Sequence, residues 1–330
     1  VPLLASLKAA WPQGQIDWLV QDAFAPAVAA HPALHRVVPF PRRELATWYL
    51  PGGGPARLRA FLRTLSEPAY DLVIDAQGLA RSALFARATR APRRVGPADA
   101  REFGWVAYTQ RVAIDPQLTH TVDRMLALID ALGVPIAKDL RLFAAPADLA
   151  WAQREALPGI ARYALLAPTS RWPAKRWPAE RFAELARALL RRDDLDAVAF
   201  VGAASEADQC APLLDLARTE PRLINLLGRT SVGQLLAVVS QAALVVANDS
   251  AALHMAVGFD RPMVALFGPT RREAVGPYGR DADVLQHIQP GDRLDHKHAP
   301  SGAALMARIG FDEVARAAAQ RLDRVTSSAR

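Results

Sequence analysis

The sequence predicts an α/β protein of two domains, each a doubly wound unit built on a parallel sheet. Three observations carry that expectation. Short apolar runs ending in turn residues alternate with amphipathic helical patterns almost throughout, which is the sequence form of successive βα units. The rhythm restarts after Pro158, behind the Ala/Pro-rich segment Ala144 to Ala147. A boundary is therefore expected between residues 144 and 160, dividing the chain into 1–150 and 151–330. Finally, 330 residues with 51% hydrophobic content suffice for two cores of ordinary size.

Taken in order, the chain opens on a helical pattern, Pro2 to Trp11. A doubly wound domain normally opens on a strand whose carboxyl end feeds a functional loop, so a first strand and its loop are expected to precede Val1. Strands follow at Ile16 to Val20, Arg36 to Phe40, Asp71 to Asp75 and Arg93 to Gly96. Apolar residues at three- and four-residue spacing place helices at Ala56 to Leu65, Leu79 to Thr89 and Thr121 to Leu132. In the second half strands are expected at Tyr163 to Ala167, Ala197 to Val201, Leu223 to Leu226, Leu244 to Ala247 and Met263 to Phe267. Helices begin between them near Pro178, Glu206, Ser231 and Ser250.

Composition narrows the function. A formal net charge of +7 favours anionic partners. Six arginines stand between Arg36 and Arg63 against one acid, Glu44, and six more between Arg81 and Arg101 against Asp99. On composition alone these clusters read equally well as a solvated surface or a binding patch. The densest apolar run, near Ala242 to Ala247, is strand-sized, so no spanning helix is expected, and the opening segment lacks the form of a secretory signal. A single cysteine, Cys210, cannot form an internal disulfide. Dinucleotide, P-loop and zinc fingerprints are missing. The Asp-x-Asp pairs at 194/196 and 281/283 read as solvated turns rather than metal dyads, and His296-Lys297-His298 as an exposed loop.

Three segments of the second half carry candidate chemistry. In LVVANDSAALHMAVG, residues 244–258, a strand ends in Asn248-Asp249-Ser250 and a helix opens on the small residues Ala251 and Ala252. Ligands of open α/β sheets bind at the carboxyl ends of strands, where free N–H groups and the positive helix end favour phosphate. Ser250 and His254 lie four apart on one helix side, where both reach a single anion. An ordinary N-cap and a satisfied histidine account for the same residues about equally well. The segment LLAPTSRWPAKRWPAERF, residues 165–182, repeats the layout, with Thr169 and Ser170 as hydroxyl donors and Lys175 just ahead of the helix. Its bland alternative is a solvated lysine with Trp172 and Trp177 packing on the sheet. In AFVGAASEADQ, residues 199–209, Glu206 is placed to accept both ribose hydroxyls. A capping box of Ser205 with Asp208 competes with that assignment. The turn Gly268-Pro269-Thr270 falls on the same sheet edge.

These residues resemble glycosyltransferase family 9, typified by ADP-heptose:lipopolysaccharide heptosyltransferases. The carriers are YDLVIDAQGLARSAL (70–84), HTVDRMLALIDALG (120–133), TSRWPAKRWP (169–178), NDSAALHMA (248–256), FGPT (267–270) and GPYG (276–279), in order over nearly the whole chain. Within the family the likeness is greatest to the enzyme adding the first heptose. The resemblance implies a GT-B architecture of two facing domains, with donor on the C-terminal one and acceptor on the N-terminal one. It implies metal-independent, inverting transfer from ADP-heptose to the Kdo inner core of lipopolysaccharide, with the nucleotide sugar as substrate and no cofactor. Thr169, Ser170 and Lys175 match its phosphate segment, Glu206 its ribose acid, and Asp249, Ser250, Ala251, Ala252 and His254 its donor loop. Lys175 stands as stabiliser of the leaving diphosphate. Arg42 and Arg43 match the basic pair that meets the anionic acceptor, and WYLPGGGPARLRAFLR, residues 48–63, suits contact with a lipid surface. The implied setting is cytoplasmic and peripheral at the inner membrane, with no nucleic acid partner. The family's general base is an aspartate after the first strand, and it is expected before Val1. A nucleotide-sugar 2-epimerase of the same fold and a non-catalytic binder of phosphorylated glycans remain the rival readings.

Overall fold

The computed structural model describes residues 1–46 and 53–328, with side chains to residue 324. Trp48 and Tyr49, the aromatics of the lipid-contacting segment expected from sequence, lie outside the described residues. The chain forms two compact units, Val1–Ala25 with Pro32–Asp139, and Pro26–His31 with Leu140–Arg330. The change of unit falls ahead of the 144 to 160 window for a physical reason. The Leu142 N–H donates to the Gly258 carbonyl at 2.8 Å, and the Leu142 side chain packs on the second unit's core.

In chain order the first 139 residues give α1 (Pro2–Ala10), β1 (Asp17–Gln21), α2 (Pro26–Ala29), β2 (Arg36–Phe40), α3 (Arg42–Leu45), α4 (Gly54–Ser66) and β3 (Leu72–Ile74). They continue with α5 (Ala80–Ala88), β4 (Arg93–Pro97), β5 (Gln110–Val112) and α6 (Thr121–Asp130). Unit 1 holds two parallel sheets, β1-β2 and β3-β4-β5. One of its apolar clusters is built on Phe40, Phe61 and Phe85, whose rings pack at centroid separations of 4.9–5.7 Å. Asp17 ties three strands at their starting ends. Its carboxylate accepts from the Tyr70 hydroxyl at 2.7 Å and from Arg36 at 2.6 Å.

Unit 2 is a six-stranded, all-parallel sheet. Its elements are α7 (Pro146–Trp151), β6 (Tyr163–Ala167), α8 (Ala179–Leu190), β7 (Ala197–Phe200), α9 (Ala211–Ala217), β8 (Leu223–Asn225) and α10 (Val232–Gln241). After them come β9 (Leu244–Asn248), α11 (Ala251–Gly258), β10 (Met263–Leu266), α12 (Arg272–Val275), β11 (Val284–Leu285), α13 (Ala299–Ala307) and α14 (Phe311–Ser328). The strand order is β11-β10-β9-β6-β7-β8. Successive strand side chains point to opposite faces, and here both faces are covered. Leu165, Ala199, Val245 and Ala265 enter one core, while Leu166, Phe200, Val246 and Leu266 enter the other. Helices α10 and α11 bury Leu236 and Leu253 on the first face, and α8 and α14 bury Phe182 and Val314 on the second. That double coverage is why β6, β7, β9 and β10 read as continuous apolar runs rather than alternating ones.

Candidate functional site

The strand order of unit 2 reverses direction at its centre. From β6 the chain builds β7 and β8 on one side, then returns to lay β9, β10 and β11 on the other. The loops leaving β6 and β9 therefore diverge at the switch point, where an open α/β sheet offers a crevice beyond the carboxyl ends of its strands. All pairings in this sheet are parallel, so the loops after β6, β7, β9 and β10 share one edge. That edge carries Thr169, Ser170, Lys175, Glu206, Asp249, Ser250 and Thr270.

Lys175 sits in a single 3₁₀ turn, Pro173–Lys175, between β6 and α8. Its ammonium meets the Asp249 carboxylate at 2.6 Å, both side chains mostly shielded, so the two loops touch across the switch point. The contact rests on a buried frame. Asn248, fully buried at the end of β9, donates from Nδ2 to the Pro168 carbonyl at 2.6 Å and accepts from the Trp177 N–H at 3.1 Å. One side chain thus fixes both ends of the loop that carries Lys175. Trp177 is itself anchored, its indole N–H donating to the Ile309 carbonyl at 2.8 Å. Below the turn, α13 approaches so closely that a Cβ on Gly302 would stand 2.3 Å from the Cβ of Ala174. Trp177 does pack as the bland alternative expects, but it does so in the frame that positions the lysine.

Hydroxyls gather on the same edge. Thr169 and Ser170 are buried directly after β6, with the Ser170 N–H donating to Gln209 Oε1 at 3.2 Å and its carbonyl accepting from Arg176 Nε at 2.8 Å. The β7 loop closes on them: a Cβ on Gly202 would lie 2.6 Å from Thr169 Cγ2, so only glycine permits that approach. Ser250 occupies the N-cap position of α11 without capping it, and its buried Oγ has no hydrogen-bond partner among the described residues. The same is true of Thr270 Oγ1, after β10. Gln286 Nε2 holds that turn by donating to the carbonyls of Gly268 and Thr270, each at 2.8 Å. Buried hydroxyls that the protein does not satisfy are suited to a ligand's oxygens. Ala251 and His254 form the exposed stripe of α11, while Ala252 is buried.

Glu206 behaves differently from the expected capping box of Ser205 with Asp208. The helix expected near Glu206 opens as a 3₁₀ stretch, Ala204–Cys210, whose N-cap is Ala203, and Glu206 Oε2 accepts from the Ala203 N–H at 2.9 Å. Glu206 is thus the capping acid, which orients its carboxylate on the loop after β7 and leaves Oε1 for a further donor. In unit 1, Arg42 and Arg43 open α3 at the carboxyl end of β2, both exposed, with Arg42 donating to Gln21 Oε1 at 3.3 Å.

The remaining sequence candidates are structural. Asp194 pairs with Arg192 at 2.7 Å, Asp196 accepts from the Ala161 and Arg162 N–H groups, and Asp283 pairs with Arg280 and Arg321. Among the described residues no group of three or more His, Cys, Asp or Glu side chains is placed to hold a metal. His298 caps α13, accepting from the Ser301 N–H, and His296 lies edge-on to Trp172. Sequence reasoning missed Asn248 and Gln209 as organisers of the edge. A polar residue closing an otherwise apolar strand, ahead of a second polar pair, is the signal that marks Asn248.

Comparison with known proteins agrees with this layout. The sequence profile of glycosyltransferase family 9 (heptosyltransferase) matches residues 58–300. Lipopolysaccharide heptosyltransferase 1 of Pseudomonas aeruginosa is 31% identical over 288 residues, 85% of this chain and 77% of that one. Lipopolysaccharide heptosyltransferase 2 of Escherichia coli K12 is 28% identical over 324 residues, 90% and 88% of the two chains. Among solved structures, E. coli ADP-heptose lipopolysaccharide heptosyltransferase II shares the fold with a TM-score of 0.79 at 22% identity, covering 98% and 94%. E. coli heptosyltransferase WaaC with ADP-2-deoxy-2-fluoro heptose gives 0.70 at 26% identity, covering 91% of each chain. With the profile spanning most of the sequence and a relative above 30% identity over most of its length, the chain belongs to glycosyltransferase family 9, the heptosyltransferases.

Proposed function

We propose that this glycosyltransferase moves heptose from ADP-heptose to the Kdo inner core of lipopolysaccharide, with inversion at the anomeric carbon. An acceptor hydroxyl attacks that carbon from the face opposite the diphosphate. The bond to the diphosphate oxygen breaks, and the hydroxyl proton passes to a base. The negative charge grows on the departing ADP, and preorganised donors at that point contribute more to rate than equal binding of the ground state. Lys175 supplies a cation there, α11 supplies the free N–H groups of its first turn, and Ser250 and Thr270 supply hydroxyls. Thr169 and Ser170 line the phosphate side, Ala251 and Ala252 let the diphosphate approach the backbone, and His254 reaches it from the helix stripe. Glu206 accepts from the ribose through Oε1. In unit 1, Arg42 and Arg43 meet the anionic sugar of a lipid-linked acceptor, and the enzyme works peripherally at the cytoplasmic face of the membrane.

The observation that carries this reading is the Lys175–Asp249 contact at 2.6 Å, since it puts a cation at the switch point of the sheet edge that also bears two unsatisfied buried hydroxyls. The test is Lys175→Ala, measured both as ADP affinity by calorimetry and as ADP release with ADP-heptose and a Kdo acceptor. Loss of a charge-assisted contact made mainly in the transition state should lower turnover by at least about tenfold. Unchanged affinity and turnover together would remove Lys175 from the site. Membership of family 9 favours transfer over epimerisation or non-catalytic binding, and the release assay with and without acceptor separates the three.

A further inference from the structure

The two arginine clusters noted in the sequence converge in space on unit 1. Arg59 and Arg63 on α4 and Arg87 and Arg90 at the end of α5 line one open cleft of about 300 Å³, together with Leu62, Ser66 and Ala88. All four arginines are exposed, and none has an ion-pair partner among the described residues. Arg90 is held at φ 59°, a left-handed conformation unusual for a side chain of its kind. Four like charges in one cleft repel one another unless an anion neutralises them.

An apolar surface adjoins the cleft. Arg81, Leu84 and Arg87 are the exposed residues of α5, spaced three apart on one helix face. The turn at Phe103–Gly104 packs against this helix: a Cβ on Gly104 would stand 3.3 Å from the Ala83 Cβ. It presents Phe103 at 78% and Val106 at 61% exposure, and α5 itself presents Leu84 at 46%. Arginines beside exposed aromatic and aliphatic tips match an anionic membrane interface, where guanidinium groups take lipid phosphates and apolar side chains enter the acyl boundary. A nucleic acid would satisfy the charges but offers little to Leu84 and Val106.

We propose that the α4–α5 arginine cleft, with Phe103, Leu84 and Val106, docks unit 1 on an anionic phospholipid leaflet. The proposal deepens the reading of a lipid-linked acceptor and rests on it, but its test needs neither donor nor acceptor. The protein is sedimented with phosphatidylcholine vesicles carrying about 30% phosphatidylglycerol, and with pure phosphatidylcholine vesicles. Each basic residue near an anionic surface contributes roughly a fivefold factor, so Arg59→Gln with Arg87→Gln should lower partitioning onto the anionic vesicles about 25-fold. Phe103→Ser should lower it several-fold by removing the apolar contribution. Transfer to a deacylated, water-soluble acceptor should be unchanged in these variants, which keeps failure of docking distinct from failure of the transfer reading. The proposal is overturned if the wild type ignores phosphatidylglycerol or if the double arginine variant partitions like the wild type. Tighter binding of a short single-stranded RNA than of the anionic vesicles, lost in the same double variant, would also overturn it.

Discussion

Lys175 and Asp249 form a pair with opposite relations to an incoming diphosphate. The ammonium attracts it and the carboxylate repels it, so the pair's net value at the site depends on both partners being present. Removing Lys175 alone leaves a shielded carboxylate facing the ligand's charge, which costs more than the lost attraction. The two single variants and the Lys175→Ala/Asp249→Ala double variant should therefore be non-additive. ADP affinity in the double variant is expected to recover at least about threefold over Lys175→Ala alone, consistent with coupling energies of contacting charges. Strict additivity in a calorimetric cycle would show that the two side chains do not share the ligand's field. The positions of Lys175, Ser250 and Asp249 on the sheet edge follow from the sequence, because polar residues after a buried strand are placed by the sheet itself. The role of Asn248 does not, since it depends on the Pro168 carbonyl and the Trp177 N–H, 80 and 71 residues away along the chain.

At the scale of elements, the turn that bears Lys175 is held from below by α13, and the fit leaves no room. Gly302 faces Ala174, so Gly302→Ala forces either the helix or the turn to move. Overpacking of this kind costs about 1–3 kcal/mol, and the displaced turn should weaken ADP binding as well as lower the melting temperature. A variant that loses stability but keeps wild-type ADP affinity would show that α13 does not position the lysine. Helix α13 could not be anticipated from the sequence: beyond Phe267, where no element is expected, the chain adds β11, α12, α13 and α14. Strands β6, β7, β9 and β10 were found nearly to the residue, because burial on both faces leaves an uninterrupted apolar run. Strand β5 was missed: three residues with an exposed arginine at the centre carry no such run. The helix expected at Glu206 begins instead as a 3₁₀ stretch, and the regular helix opens only at Ala211, where Pro212 suits a first helical turn.

For the whole molecule, the single cysteine offers a reporter confined to unit 2. Cys210 is buried, and burial, with a smaller contribution from the charge of Glu206, pushes its thiol up to about 11. Below that pH the folded protein holds it as an unreactive thiol, so alkylation near pH 8 requires unit 2 to open. A ligand that binds only the folded unit lowers the open fraction in proportion to its saturation, and ADP at about 100 times its Kd should slow labelling about a hundredfold. An ADP-independent labelling rate would place the nucleotide elsewhere, whatever the catalytic result. The restart of the βα rhythm after Pro158 can be read in the sequence, and the chain forms two compact units. The detour of Pro26–His31 into the second unit cannot be read there, because nothing in six residues announces which core they join. Ala27 packs on the apolar cluster that includes Leu236 and Leu253, and His31 meets Phe143 edge-on at 4.9 Å. During synthesis, then, a piece made among the first three dozen residues must wait for more than two hundred others to leave the ribosome before its seat exists. A fragment started at Leu140 would emerge with that seat bare, a sticky surface where the intact polypeptide supplies its own cover.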